Sequence, residues 1–316
     1  MIRWGIIGIG NIAMRFMRSL ANSEEGYLYG AASLTQRKRE NFHQQYPHVQ
    51  VYESYEALLD DENIDAVYIA TRHKDHYQWA KGALKRHKAV LCEKPATLSY
   101  HQTVELCDLA KQNQTLFIEA MKTRFVPLIQ DIKALLEEGV IGEIERVETS
   151  FCYDIEYRQG HYLFDEDQGG ILYDVGTYNI ASTIDYIHSP LVSVQSDVKK
   201  NYHVDVYDQV ELTFESGQTA RLEMAMDRNK KKIMTIKGTL GTLTCEPFYR
   251  PTTALIVVEN KEKTIQKDYI HDDFFTEIQE VHHCLKNQWI ESPRMTFQDS
   301  KDCMMIMEKI KESFHV

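Results

Sequence analysis

Short unbroken apolar runs alternate with segments of helical period through the first third of the chain. Residues 3–9 form a continuous, largely β-branched run, the pattern of a strand buried on both faces. Residues 11–20 follow with apolar side chains at Ile12, Phe16, Met17 and Leu20, a helical spacing. Further strands are predicted at residues 27–33, 66–70, 89–92 and 116–119, with helices between them that include 76–86 and 99–111. Strand–helix alternation of this kind implies right-handed crossovers and a doubly wound parallel sheet.

The pattern changes after Glu119. Residues 126–138 read as an amphipathic helix closed by Gly139, residues 143–154 as a long strand, and residues 170–187 as a helix with a polar-aromatic face. From 191 to about 267 the chain shows alternating segments such as 209–214 and 219–224. Turn residues at Glu215-Ser-Gly217, Lys237-Gly238, Gly241 and Asn260-Lys261 separate them, which predicts an antiparallel sheet. Two closing helices fit 273–286 and 297–312. The expected architecture is α/β: a doubly wound domain over 1–120, then an α+β domain over 121–316 built on a large, open, mainly antiparallel sheet. The last helix is free to pack back on the first domain.

Composition narrows the function classes. A chain of 316 residues suits two domains better than one core. Its net charge of −11 opposes sequence-independent nucleic-acid binding, which needs a basic face. Six scattered cysteines with no C-x-x-C pair suit reduced, buried thiols better than disulfides or a zinc site, so no metal is expected. The apolar N-terminus is broken by Gly5, Gly8, Gly10 and Asn11, unlike a signal peptide. No run of 18 apolar residues is present, so no membrane association is expected, and a cytoplasmic location is.

The sharpest local pattern is Gly8-Ile-Gly10-Asn11-Ile12-Ala13, between a predicted strand and a predicted helix. Gly8 makes the turn, Gly10 admits a pyrophosphate to the backbone, and Ala13 packs helix on strand. The helix N-terminus at Asn11 and Ile12 then offers N–H groups to phosphate. At the end of the second strand an acid would bind a ribose 2′-hydroxyl and select NAD. Here the chain reads Ser33-Leu-Thr-Gln-Arg37-Lys38, with no acid and several phosphate-compatible groups, so NADP is expected in preference to NAD.

Cys92-Glu93-Lys94-Pro95 falls at the C-terminal end of a predicted core strand, the edge at which open α/β sheets bind ligands. A lysine there is a candidate acid or base. Gly169-Gly-Ile-Leu-Tyr-Asp174-Val-Gly-Thr-Tyr178 puts Asp174 and Tyr178 four residues apart, on one face of an α-helix.

Together these motifs, with Ala70-Thr71 followed by His76 and with Glu119-Ala-x-x-x-Arg124-Phe125, resemble the glucose–fructose oxidoreductase, inositol dehydrogenase and rhizopine-catabolism (Gfo/Idh/MocA) family over nearly the whole chain. The resemblance implies a Rossmann domain followed by an α/β domain whose open sheet often forms a dimer interface, so a homodimer or a dimer of dimers is expected. It implies that Lys94 contacts nicotinamide and substrate, and that Thr71, His76 and Glu93 line the cofactor. Tyrosine at 178, where many members have histidine, resembles the branch holding dihydrodiol and xylose dehydrogenases. In that branch the tyrosine exchanges the proton and the lysine lowers its pKa. Asp174 then orients the lysine or a substrate hydroxyl. The expected reaction is hydride transfer between NAD(P) and a hydroxyl or carbonyl carbon of a small sugar, cyclitol or diol.

Some positions depart from the family pattern. Leu34 stands where NADP-binding relatives often have arginine, Lys122 where the dihydrodiol branch has tryptophan, and Arg72-His73 where Pro-Asn is common. The loop over 154–168 is expected to border the substrate, with Tyr157 and His161 as candidate contacts beside Lys122 and Arg124. Glu280-Val-His-His283-Cys284 reads as a packed helix rather than a metal site, and Asn229-Lys-Lys-Lys232 as a solvated hairpin turn. Two other functions fit the same fold: a cofactor-binding sensor without turnover, and a glycosidase that uses NAD transiently.

Overall fold

The first apolar run forms β1 (Ile2–Ile7), and the amphipathic stretch after it forms α1 (Asn11–Leu20). The chain continues through β2 (Gly26–Ala32), α2 (Gln36–Gln45), β3 (Gln50–Tyr52), α3 (Tyr55–Leu59), β4 (Ala66–Ile69), α4 (His73–Leu84), β5 (Ala89–Glu93), α5 (Tyr100–Gln112) and β6 (Phe117–Ala120). The computed structural model describes residues 1–314. Contacts divide them into two units, Met1–Met121 with Ile270–Lys301, and Lys122–Tyr269 with the residues from Asp302 onward.

In the first unit the six strands are parallel, in the order β3-β2-β1-β4-β5-β6. β4 and β5 are buried along their whole length, which explains their unbroken apolar sequences. The order reverses between β1 and β4, the place where an open α/β sheet leaves a crevice at its C-terminal edge. The sequence pattern did not reveal α2 because that helix buries only Phe42. Its other residues carry no apolar period.

The second unit begins with the short α6 (Lys122–Phe125) and α7 (Pro127–Glu137), whose proline occupies the first turn, where no N–H is required. β7 (Ile144–Cys152) follows, then a long loop, a π-helical turn (Leu172–Gly176) and α8 (Thr177–Ile184). β8 (Leu191–Asn201), β9 (Val204–Phe214), β10 (Thr219–Ala225), β11 (Ile233–Gly238), β12 (Gly241–Cys245), β13 (Thr253–Val258) and β14 (Lys261–Gln266) complete an eight-stranded sheet. Its order is β14-β13-β12-β11-β7-β10-β9-β8, antiparallel except for the β7–β10 pair. Alternate residues of β9 are buried, among them Val206, Val210, Leu212 and Phe214.

Three expectations are corrected. Residues 170–187 are not one α-helix, because i→i+5 bonding widens the stretch that carries Asp174 before α8 begins. The four-residue spacing of Asp174 and Tyr178 therefore does not follow α-helical geometry. The basic run 229–232 is not a hairpin turn. It joins β10 to β11, which flank β7 in the sheet, so the chain must cross β7 there. Lys230 pairs with Glu223 and Lys231 with Glu246, at 2.5 and 3.0 Å. Finally, a single cut at residue 120 leaves 270–301 with the wrong partner. α9 (Asp273–Lys286) packs on α1, with Asp273 bound to Arg15 at 3.1 Å and the Phe274 ring edge-on to Phe16. Its buried His282 accepts the Trp4 Nε1–H at 2.9 Å. α10 (Phe297–Ser313) then runs from the first unit into the second.

Candidate functional site

In the first unit the C-terminal ends of β1, β4 and β5 lie side by side. Gly8 follows β1 with φ +99°, a conformation open to glycine at little cost. A Cβ there would meet the Ala70 carbonyl oxygen at 2.7 Å. Gly10 caps α1 with no side-chain hydrogen bond. The first bond of the helical ladder is Met14 N–H to the Gly10 carbonyl at 3.1 Å, so the N–H groups of Asn11, Ile12 and Ala13 precede it. A Cβ on Gly10 would meet nothing within 4 Å. One edge thus offers an open approach, free N–H donors and a helix dipole, which fits a pyrophosphate.

Glu93 ends β5 and Lys94 follows it through a cis bond to Pro95. Glu93 is buried and accepts the Tyr68 hydroxyl. Lys94 is half-buried. His76 is 1% exposed and turns both ring nitrogens onto carbonyls, Nδ1 to Pro95 at 2.8 Å and Nε2 to Thr71 at 3.2 Å. Burial pushes its pKa down. A neutral ring carries one N–H, so His76 donates to one of these carbonyls and packs its other nitrogen against the second. Glu119 Oε1 steadies the same loop by accepting Ala96 N–H at 3.0 Å. Beyond β2, Ser33 is buried and its hydroxyl accepts Thr35 N–H, while Arg37 and Lys38 are exposed in the first turn of α2. Arg39 differs from them, because its guanidinium donates to the Ser33 carbonyl at 2.7 Å.

In the second unit Asp174 sits on the π-helical turn and Tyr178 in the first turn of α8. Tyr153, just beyond β7, donates its hydroxyl to Asp174 Oδ2 at 2.6 Å. Burial and the Asp174 charge push the Tyr153 phenol up, so Tyr153 remains a donor. The Tyr178 ring is 8% exposed and lies against Phe151 and Tyr249, with centroids 5.9 and 6.0 Å away. Those rings fix the plane of the phenol. Lys122 is buried in α6. Arg124 is buried too and pairs with Asp185 at 3.4 Å, a carboxylate that also binds Lys133 at 2.6 Å. In the 154–168 loop, Tyr157 is exposed and stacks on Tyr202 at 4.2 Å, and His161 lies half-buried against Tyr162 and Phe164.

Two family models match this chain. One, described as an oxidoreductase family with an NAD-binding Rossmann fold, covers residues 2–121, and the GFO/IDH/MocA C-terminal domain covers residues 129–244. The chain belongs to the GFO/IDH/MocA family. Among its relatives are trans-1,2-dihydrobenzene-1,2-diol dehydrogenase of Mus musculus, 26% identical and covering 100% of this chain and 97% of that one. Another is the NADP-dependent scyllo-inositol 2-dehydrogenase of Bacillus subtilis, 27% identical over 100% and 98% of the two chains. A 3-ketoreductase from Actinomadura kijaniata, crystallised with NADP and TDP-benzene, superposes with a TM-score of 0.89 at 26% identity, covering 99% of this chain and 97% of that one.

The protein is thus an NAD(P)-dependent oxidoreductase of the GFO/IDH/MocA family. A dinucleotide fits the geometry of the first unit, where the backbone of Gly8, Gly10, Asn11 and Ile12 would hold its phosphates. Sequence reading singled out the glycine loop, Lys94, Asp174 and Tyr178, which the structure places at the end of β1, after β5, on the π turn and in α8. It missed Tyr153, Phe151 and Tyr249, which hold the last two, because an isolated aromatic in a strand or loop carries no pattern of its own. It also missed that His76 works through backbone carbonyls. The helix over 280–284 owes its polar residues to packing. Glu280 accepts the Ser292 hydroxyl at 2.6 Å and lies 3.6 Å from Arg294, and among the described residues no cluster suits a metal ion.

Proposed function

We propose that this protein transfers a hydride between NADP and a hydroxyl- or carbonyl-bearing carbon of a small sugar, cyclitol or diol. The carrying observation is Lys94 at the end of β5, beside the glycine loop's strand edge, on a loop braced by His76 and Glu119. Nicotinamide, when bound, supplies or takes the hydride. Tyr178 holds the proton at the substrate oxygen, Lys94 favours the phenolate form by its charge, and Asp174 orients the polar groups around them. The dihydrodiol and inositol substrates named for the relatives support the substrate class. Arg124 is assigned to Asp185 rather than to substrate. Lys122, Tyr157 and His161 remain the proposed substrate contacts.

The choice of NADP rests on the absence of an acid after β2 and on the exposed Arg37 and Lys38. Six buried free cysteines support a reducing, cytoplasmic setting. No helix among the described residues is long and apolar enough to cross a membrane. Self-association as a homodimer or dimer of dimers through the eight-stranded sheet completes the reading, and light scattering tests it. The activity test is reduction of NADP by scyllo-inositol, D-xylose and a trans-dihydrodiol, repeated with NAD. Turnover with at least one substrate and a lower KM for NADP are expected. Cofactor binding with no turnover, or a clear preference for NAD, overturns the corresponding part.

A further inference from the structure

The π-helical turn that carries Asp174 is held from outside by a strand no motif pointed to. β9 begins beside the loop: Asp205 Oδ2 accepts Leu172 N–H at 2.8 Å, and the Asp205 carboxylate fills the space above Gly170. Gly170 has φ +96°, and a Cβ there would lie 2.0 Å from Asp205 Oδ1. The β8–β9 pairing shifts register between Lys199 and Lys200, which face Tyr207 and Asp205 respectively. The irregularity falls at Val206, next to Asp205, and Asp205 lies close enough to Asp208 for the two carboxyls to interact.

Asp208 is fully buried, and no donor is aimed at either of its oxygens. Burial, then the charge of Asp205, push its carboxyl well above the usual range, with Lys200 opposing weakly. Both causes favour the protonated form, and a protonated Asp208 can donate to the neighbouring Asp205 carboxyl. A second contact holds the same hairpin to the same loop: Tyr202, in the β8–β9 turn, stacks on Tyr157 at 4.2 Å and lies edge-on to Phe164 at 5.6 Å.

We propose that Asp205, backed by Asp208, is a positioning residue for the reaction: it fixes the Gly170–Leu172 backbone and so sets where Asp174 and Tyr178 stand. The inference rests on the assignment of Asp174 and Tyr178 to catalysis. Leu172 N–H lies at the first position of the turn, where no carbonyl of the same helix can reach it. Here the acceptor comes from β9, so the entry to the π turn depends on one side chain.

The test measures amide hydrogen exchange across residues 170–178 and steady-state kinetics, side by side, in Asp205→Ala and Asp205→Asn. Asp205→Ala should speed exchange across the turn at least about tenfold and lower kcat about tenfold or more, with KM for NADP unchanged, since small misplacements of reacting groups are that costly. Asp205→Asn keeps an acceptor for Leu172 N–H and should recover exchange protection and most of kcat. Asp205→Ser, a milder truncation, gives the same readout if Asp205→Ala does not fold. Exchange at parent rates in Asp205→Ala, or equal losses in the alanine and asparagine variants, overturns the proposal. Faster exchange with unaltered kcat also overturns it, and Tyr178→Phe, measured beside it, tells that failure apart from a failure of the catalytic assignment of Tyr178.

Discussion

The two halves of the candidate machinery are built by different means. At the edge of the first sheet the working surface is backbone: glycines at 8 and 10, the uncapped start of α1, and loops braced by His76. At the π turn it is groups held by side chains from elsewhere: Asp174 by Tyr153, Tyr178 against the stacked pair Phe151 and Tyr249, and the Leu172 N–H by Asp205. A backbone site tolerates change wherever the chain geometry survives. A side-chain site depends on partners far apart in sequence. The contrast predicts where substitutions hurt.

The largest effect is expected at Lys94. Lys94→Ala should lower kcat by roughly 10²–10⁴-fold, the usual contribution of a positioned proton carrier, with the fold intact by circular dichroism. A near-parental rate removes Lys94 from the chemistry. Next, Gly10→Val should weaken NADPH binding at least about a hundredfold without loss of thermal stability. Gly10 already has φ −128° and open space beyond its Cα, so the added side chain obstructs only a ligand. Fluorescence titration and a melting curve check both halves, and parental NADPH affinity contradicts the placement of the phosphates.

Gly170→Ala sharpens the contrast from the other side. Its backbone is left-handed and its Cβ would strike Asp205, so the variant should lose about 1–3 kcal/mol of stability and, with it, activity. Gly10→Ala, by comparison, should lose little stability. Equal melting temperatures for the two alanine variants would refute the distinction.

The smallest effect concerns Asp208. Its folded pKa is raised above its unfolded value, so the folded state binds the extra proton, and stability falls as pH rises above the ordinary carboxylate range. Asp208→Asn keeps a donor toward Asp205 and removes that loss. Its melting temperature relative to the parent should therefore be higher at pH 8 than at pH 5. A difference independent of pH means that Asp208 is not held neutral; Asp205 and Lys200 are the charged groups that act on it.

How much was legible in the sequence follows the same division. β1, α1, β4 and β5 announced themselves because burial on both faces, or on one stripe, writes directly into residue type. The glycine loop was equally plain, since left-handed backbone and close approach each restrict the residue. α2 was silent because it buries one side chain. The π turn was read as ordinary helix because its residues carry no pattern that distinguishes it, and the Asp205 carboxylate that accepts its first N–H lies more than thirty residues downstream. Asp174 and Tyr178 could be named, but not the partners that hold them.

The most direct test of the account is a double-mutant cycle on Lys94→Ala and Tyr178→Phe, read as kcat/KM for NADP reduction by scyllo-inositol or D-xylose. If both groups serve one proton transfer, the double variant should be about as impaired as the worse single variant. Losses that multiply as independent factors, or a Tyr178→Phe variant with parental activity, would contradict the account.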